Sequence, residues 1–275
     1  MSTRVNPIEF LQRRFGPDFT VAFMPNGGNL GDGLIASATM QAFDKAKIDW
    51  RILRGGRENI RPTDILVHGG GGSLVKLYEG TVASLKFMAT LNRPIVVFPQ
   101  TVRNHSEFWQ NCGAMTVFCR DPTSLAYIQQ FTHVESYLCD DMAVMLDVSS
   151  PPFSCVAELR RRILTNNVPK STLNIFRSDG ESSGNSFSDV SFDLSDIAYP
   201  TMKSQGEIDA HTVFFMTAIA GADLIQTDRL HVAVAAGLLN IPTNFFDNSY
   251  GKNRGVYEFT IRDRFPSINF VSNEP

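Results

Sequence analysis

A strand that stops on Asp-Arg-Leu-His and turns at once into an alanine-rich helix constrains this chain more than any other stretch. Residues 222–225 are an apolar run with strand character. Asp228-Arg229-Leu230-His231 follows, then the small residues 232–237 (Val-Ala-Val-Ala-Ala-Gly), and residues 241–246 (Ile-Pro-Thr-Asn-Phe-Phe) read as the next strand. Strand, helix, strand in this order reads as a parallel pair joined by a helical crossover. Ligands bind outside the carboxyl ends of such strands. A helix N-terminus placed there offers free N–H groups and a positive dipole end, which suit an anion. Arg229 and His231, two residues apart at this mouth, are the expected chemical centre.

The same alternation recurs upstream. Strands are expected at 19–24, 48–53, 63–68, 94–98, 115–119 and 134–138, with an amphipathic helix at 34–45 and a further helix at 84–91. Asp121 followed by Pro122 starts another helix, running to about 131, with the acid as cap and the proline at the first position. Alternating strands and helices imply a parallel sheet covered on both faces. Ser149-Ser150-Pro151-Pro152 interrupts the pattern and marks a boundary. Beyond it come a helix at 155–164, a strand at 171–176, a polar Ser/Gly-rich segment at 178–188 that reads as a mobile loop, and a helix at 207–220. The organisation expected is one α/β unit at 1–148 and a second at 149–275.

Two glycine-rich stretches follow strands in the first unit. Pro25-Asn26-Gly27-Gly28-Asn29-Leu30-Gly31-Asp32-Gly33 has neither the glycine order of a dinucleotide site nor the Gly-Lys-Ser/Thr of a P-loop, so neither a nicotinamide cofactor nor ATP is indicated. Asn29 and Asp32 read either as helix caps or as ligand contacts. Gly69 to Gly72 are four consecutive glycines after a buried strand. They are costly to order, so close approach to a ligand by Gly70, Gly71 and Gly72 is the expectation. His68, at the strand end, reads as a structural histidine.

Composition narrows the function classes. The net charge of −3 argues against a general nucleic-acid binder. No apolar run approaches the ~18 residues a membrane span needs, and no signal pattern opens the chain, so a cytoplasmic protein is expected. The four cysteines show no Cys-x-x-Cys pair and read as reduced thiols. Asp140-Asp141 reads as a turn cap or an arginine-orienting pair rather than a metal site. Tyr250 and Tyr257 read as sugar-stacking or as packed aromatics, and Arg160-Arg161-Arg162 as a solvated helix face.

Taken in order, Asn26 to Asp32, Gly69 to Gly72, Arg120-Asp121, Asp140-Asp141, Asp228-Arg229-Leu230-His231 and Tyr250-Gly251-Lys252 form a set that resembles the polysaccharide pyruvyl transferases, from about residue 19 to about 259. The resemblance implies a glycosyltransferase-B-like fold, two Rossmann-like halves with a cleft between them. It implies transfer of pyruvate from phosphoenolpyruvate to two hydroxyls of a sugar, giving a ketal on an exopolysaccharide or its lipid-linked repeat unit. It assigns the donor to Arg229, Leu230, His231 and Arg120. The chemistry agrees with those residue types. A donor carrying phosphate and carboxylate suits the arginine fork, with Lys252, Arg254, Arg103 and Arg177 as further cations. Histidine suits proton transfer to the methylene carbon. No cofactor or metal is required, and Asn29, Asp32, Gly70, Gly71 and Gly72 fall to the acceptor or the loops. A lipid-linked acceptor would place the protein at the inner membrane face, where the 160–162 run could meet acidic lipid. A nucleotide-sugar glycosyltransferase and a non-catalytic glycan-binding protein remain rival readings, because one fold serves many functions.

Overall fold

The computed structural model describes residues 4–54, 59–166, 171–182, 184 and 191–272. In the first part, α1 (Pro7–Phe15) leads into β1 (Thr20–Met24), α2 (Leu30–Lys45), β2 (Asp49–Ile52), β3 (Asp64–His68), β4 (Gly71–Leu74), α3 (Gly80–Ala89), β5 (Ile95–Val102), α4 (Ser106–Asn111), β6 (Thr116–Cys119), α5 (Pro122–Ile128) and β7 (Glu135–Leu138). The second part contains α6 (Ser154–Thr165), β8 (Thr172–Ile175), α7 (Gln205–Ala220), β9 (Leu224–Thr227), α8 (Leu230–Leu238), β10 (Thr243–Phe246), α9 (Lys252–Val256) and β11 (Ile268–Val271). The expected mobile loop lies in part outside the described residues, at 183 and 185–188.

The architecture is α/β with two parallel sheets. Seven strands form the first, in the order β2-β1-β3-β5-β6-β7 with β4 also paired to β5. Four form the second, in the order β11-β10-β9-β8. The first sheet lies wholly before Ser149 and the second wholly after Pro152. In the first sheet the strand order reverses between β1 and β3. That topological switch point is where open α/β sheets leave a ligand crevice, and both glycine-rich stretches begin there.

Period-two alternation sorts the strand side chains. Val21, Phe23, Ile65, Val67, Val96 and Phe98 point to one apolar cluster, and Ala22, Leu66 and Val97 point to another. The second cluster lies under α3, α4 and α5. The first holds α2, α7 and α8 and continues into Ile175, Ile225, Phe245 and Ile268 of the second sheet. One core therefore joins the two sheets.

One expectation needs correction, and two strands are additions to it. Helix α2 is not amphipathic: it is buried nearly all round, because it is packed between the sheets and the helices of the second part. Small residues make this fit, and Ser37 Oγ donates to Asp209 Oδ1 of α7 at 2.6 Å. Gly69 to Gly72 run into a short strand that was not expected. Strand β5 outruns β3, and its free edge pairs with Gly71 and Leu74 to make β4. Finally, β11 was not expected, and it completes the second sheet beside β10.

Candidate active site

A cleft of about 320 Å³ is lined by residues that follow the carboxyl ends of β1, β6, β8, β9 and β10. That volume suits a small ligand. Asn26 to Asn29, Asp32, Gly72, Ser73 and Arg120 come from the first sheet's side. Arg177, Asp179, Glu181, Arg229, Leu230, His231 and Lys252 come from the second's. Tyr78 and Tyr199 stand exposed at the rim.

Arg120 leaves β6 and is almost wholly buried. Its Nε donates to Thr101 Oγ1 at 2.9 Å and its Nη1 to Asp141 Oδ2 at 2.6 Å. Nη2 lies over Gly72, where a Cβ would stand 2.8 Å away. Asp141 is fixed from below by the Ala143 N–H at 2.8 Å. Burial alone would raise its pKa, but the Arg120 guanidinium and nearby His231 overcome that and hold it well below the usual carboxylate range.

His231 sits in the first turn of α8. Its Nε2 is 3.7 Å from Asp141 Oδ2, an ion-pair distance too long for a hydrogen bond. The ring rests on Gly31 in the first turn of α2, where a Cβ would come within 2.7 Å of Nδ1. Only glycine admits the imidazole at that point.

Arg229, the N-cap of α8, is also buried. Its Nε donates to Asp193 Oδ1 at 2.8 Å, its Nη2 pairs with the same carboxylate, and its Nη1 is 3.2 Å from Asp179. Arg177 grips Asp179 with two bonds of 2.8 Å and approaches Glu181 at 3.3 Å. Lys252 is buried against Glu181. Burial pulls its pKa down to about 8, with Glu181 opposing and Arg177 and Arg120 assisting.

The polysaccharide pyruvyl transferase family model matches residues 29–250. The chain belongs to this family. Among solved structures the fold is similar to that of KP1_0663, an uncharacterized protein from Klebsiella pneumoniae subsp. pneumoniae NTUH-K2044. The identity is 27% and the TM-score 0.78, over 97% of this chain and 99% of that one. No curated protein matches the chain. The family is one of transferases named for moving a pyruvyl group onto polysaccharide.

The matched span runs from the cap of α2 to Tyr250, so it holds every cleft-lining residue named above except Asn26 to Gly28 and Lys252. Of the residues singled out from sequence, His231, Arg229, Leu230, Arg120, Arg177, Lys252, Asn29, Asp32 and Gly72 line this cleft. Asn29 and Asp32 do two things at once. They cap α2 reciprocally, through Gly31 N to Asn29 Oδ1 at 2.9 Å and Asn29 N to Asp32 Oδ2 at 3.0 Å, and both face the cavity.

Others lie elsewhere. Arg254 is exposed, 3.7 Å from Asp247, with its guanidinium 5.5 Å from the Phe270 ring centroid. Two helical positions rotate a side chain by about 200°, so with Lys252 turned inward Arg254 faces out. Gly70 and Gly71 are buried away from the cavity. A Cβ on Gly70 would meet Pro99 O at 2.8 Å, and one on Gly71 would meet Asn26 Nδ2 at 2.7 Å. Their role is close backbone packing. Arg103 pairs with Asp121 at 2.8 Å instead of lining the cleft. Tyr257 stacks on Phe270 at 5.0 Å and is a packed aromatic. His68 is a buried structural histidine. Burial pushes its pKa down to about 4, and its Nδ1 lies 2.9 Å from Gly69 O.

Asp179, Glu181 and Asp193 were not anticipated from sequence, nor were the rim tyrosines. Arg177-Ser178-Asp179 ends its strand as Asp228-Arg229 ends the next one, and that parallel was the available signal. Arg160 is buried and donates to Ala220 O and Ala222 O, while Arg161 and Arg162 both pair with Glu158. The 160–162 run is therefore not an open basic patch. No described helix is long and apolar enough to cross a membrane, and no group of three metal-ligating side chains occurs among the described residues.

Proposed function

We propose that this chain transfers the pyruvyl group of phosphoenolpyruvate to two hydroxyls of one sugar, in a polysaccharide or its repeat unit, and releases phosphate. The observation that carries the reading is the convergence of Arg120, Arg177, Arg229, Lys252 and His231 on one small cleft in a chain of this family. Such a donor brings a phosphate and a carboxylate close together, and this cation density matches it. The two sheets then act as Rossmann-like halves of a glycosyltransferase-B-like arrangement, with residues 1–148 on the acceptor side and 149–275 on the donor side.

In this reading Arg120 is the ready anchor, because one edge of its fork already faces the cavity. Arg229, Arg177 and Lys252 change partners, exchanging Asp193, Asp179 and Glu181 for donor oxygens. Leu230 packs beside the donor. His231 delivers a proton to the methylene carbon, which makes the central carbon electrophilic. The arginines neutralise the donor, so neither metal nor cofactor is invoked. Tyr78 and Tyr199 offer aromatic faces to the acceptor ring at the rim. The reaction belongs in the cytoplasm, where the donor is made.

The test is to incubate the protein with phosphoenolpyruvate and a glycan panel, following phosphate release and the mass gain of a pyruvate ketal. Phosphate release coupled to ketal formation is expected. Binding of a nucleotide sugar with no response to phosphoenolpyruvate would overturn the reading.

A further inference from the structure

Ketal formation moves more protons than one imidazole can hold at once. Two acceptor O–H bonds break. One proton ends on the donor's methylene carbon, which becomes a methyl, and one ends on the departing phosphate. Delivery to carbon and removal from oxygen occur at the same centre, so the site needs an acid and a base together.

The carboxylates around the cleft are not equivalent. Asp179 is held by Arg177 and Arg229, and Glu181 by Lys252 and Arg177. Asp141 and Asp193 are held by Arg120 and Arg229. A carboxylate clasped by a guanidinium is a poor base. Asp32 differs: its oxygens accept from the Asn29 N–H at 3.0 Å and Asn26 Nδ2 at 3.1 Å, both neutral donors, and it has no ion pair among the described residues.

Its surroundings are cleared by glycine. A Cβ at Gly28 would stand 2.0 Å from Asp32 Oδ2, and one at Gly71 would stand 3.3 Å from Oδ1. One residue earlier, Gly31 seats the His231 ring. The carboxylate and the imidazole thus share the first turn of α2 and open on the same cavity.

We propose that Asp32 is the second proton-handling group, taking the proton of the acceptor hydroxyl that attacks first. This rests on the pyruvyl-transfer reading above. His231 starts protonated and Asp32 ionised. The π electrons of the donor form a C–H bond with the His231 proton. The first acceptor oxygen bonds to the central carbon, and its proton passes to Asp32. The C–O bond to phosphate then breaks with its electron pair on phosphate, which takes the proton from Asp32. The second acceptor oxygen bonds to the carbon and returns its proton to His231. Both groups end as they began, and nothing is oxidised or reduced. Burial raises the Asp32 pKa against the opposing charges of His231 (α8) and Arg120 (after β6), which makes it a better base than an open carboxylate.

The test uses Asp32→Asn and Asp32→Ser, with methyl glycosides of galactose, glucose and mannose as acceptors and phosphoenolpyruvate as donor. Asparagine keeps an amide oxygen to accept from the Asn29 N–H and serine removes the carboxylate altogether, and neither takes up a proton. Acceptor-dependent phosphate release is expected to fall at least about 100-fold in both variants. Phosphoenolpyruvate affinity, read by its shift of the melting temperature, should stay within about threefold of wild type. The wild-type rate should decline on the acid side, as Asp32 protonates with His231 and Arg120 facing it, and both variants should lack that limb. Turnover of Asp32→Ser within about threefold of wild type would reduce Asp32 to a cap and overturn the inference while leaving pyruvyl transfer standing. A wild-type protein inactive with every glycoside would overturn the transfer reading and this inference with it.

Discussion

On the first sheet's side of the cleft, Asn26 to Asn29 and Gly72 present backbone and small side chains, and one arginine, Arg120, keeps an edge of its fork toward the cavity. On the second sheet's side, Arg177, Arg229 and Lys252 are each gripped by carboxylates. The first wall is shaped by what is missing, since a Cβ at Gly31 or Gly72 would strike His231 or Arg120. The second is shaped by compensation, charge against charge in a place that water barely reaches. In the proposed reaction, a preformed anchor thus faces a set of cations that trade partners to bind the donor. Substitutions in the two walls should fail for different reasons.

The largest expected effect is on Arg120. Arg120→Ala leaves Asp141 buried and without its cation, a loss of about 3–5 kcal/mol in a urea melt, together with loss of transfer. A variant of unchanged stability would break the claim that Arg120 and Asp141 form a unit.

Asp228, under the second wall, comes next. It accepts from Arg177 N at 2.8 Å, and its Oδ2 is buried with no partner among the described residues. Burial raises its pKa to about 6, against Arg177 and Arg229. The native state thus holds this proton more tightly than the unfolded chain. Its contribution to wild-type stability is full below the ordinary carboxylate pKa and is lost as pH rises toward 6. Asp228→Asn should be neutral near pH 4 and stabilising by about 2 kcal/mol at pH 8, read from urea midpoints. Equal effects at both pH values would show that this charge is fully compensated.

Gly72→Ala tests the first wall. The added Cβ stands 2.8 Å from Arg120 Nη2 and 3.5 Å from Lys252 Nζ. Donor affinity should fall about tenfold, the equivalent of about 1.4 kcal/mol, with little change in melting temperature. Calorimetric titration with phosphoenolpyruvate decides it. The smallest effect belongs to Arg254→Ala, a surface change worth less than about 0.5 kcal/mol in either stability or donor binding.

The contrast between the walls also explains what could be read from sequence. Strand ends, caps and glycine runs are local patterns, so Arg229, His231, Arg120, Asn29, Asp32 and most strands were legible. Asp121 before Pro122 does cap α5, accepting from Ser124 N at 2.9 Å. Ion-pair partners are not local. Asp193 reaches Arg229 across 36 positions and Glu181 reaches Lys252 across 71, and no spacing rule links them. The burial of α2 was hidden for the same reason, because its outer neighbours are folded from the far half of the chain. Gly70 and Gly71 show the opposite failure: their conformational freedom was visible, but packing against Pro99 and Asn26 can use it as well as a ligand can. Arg254 was lost to helical phase, in a helix too short to show a period.

A hinge needs a seam to turn on, and α2 leaves none. Leu30, Leu34, Ile35, Ala38 and Phe43 belong to the apolar cluster that runs through both sheets. Prising the halves apart would wet that surface at about 25 cal/mol for each Å². It would also pull the imidazole off its glycine seat. On the pyruvyl-transfer reading proposed above, substrates enter as through a keyhole, past the rim tyrosines, and not between opening jaws.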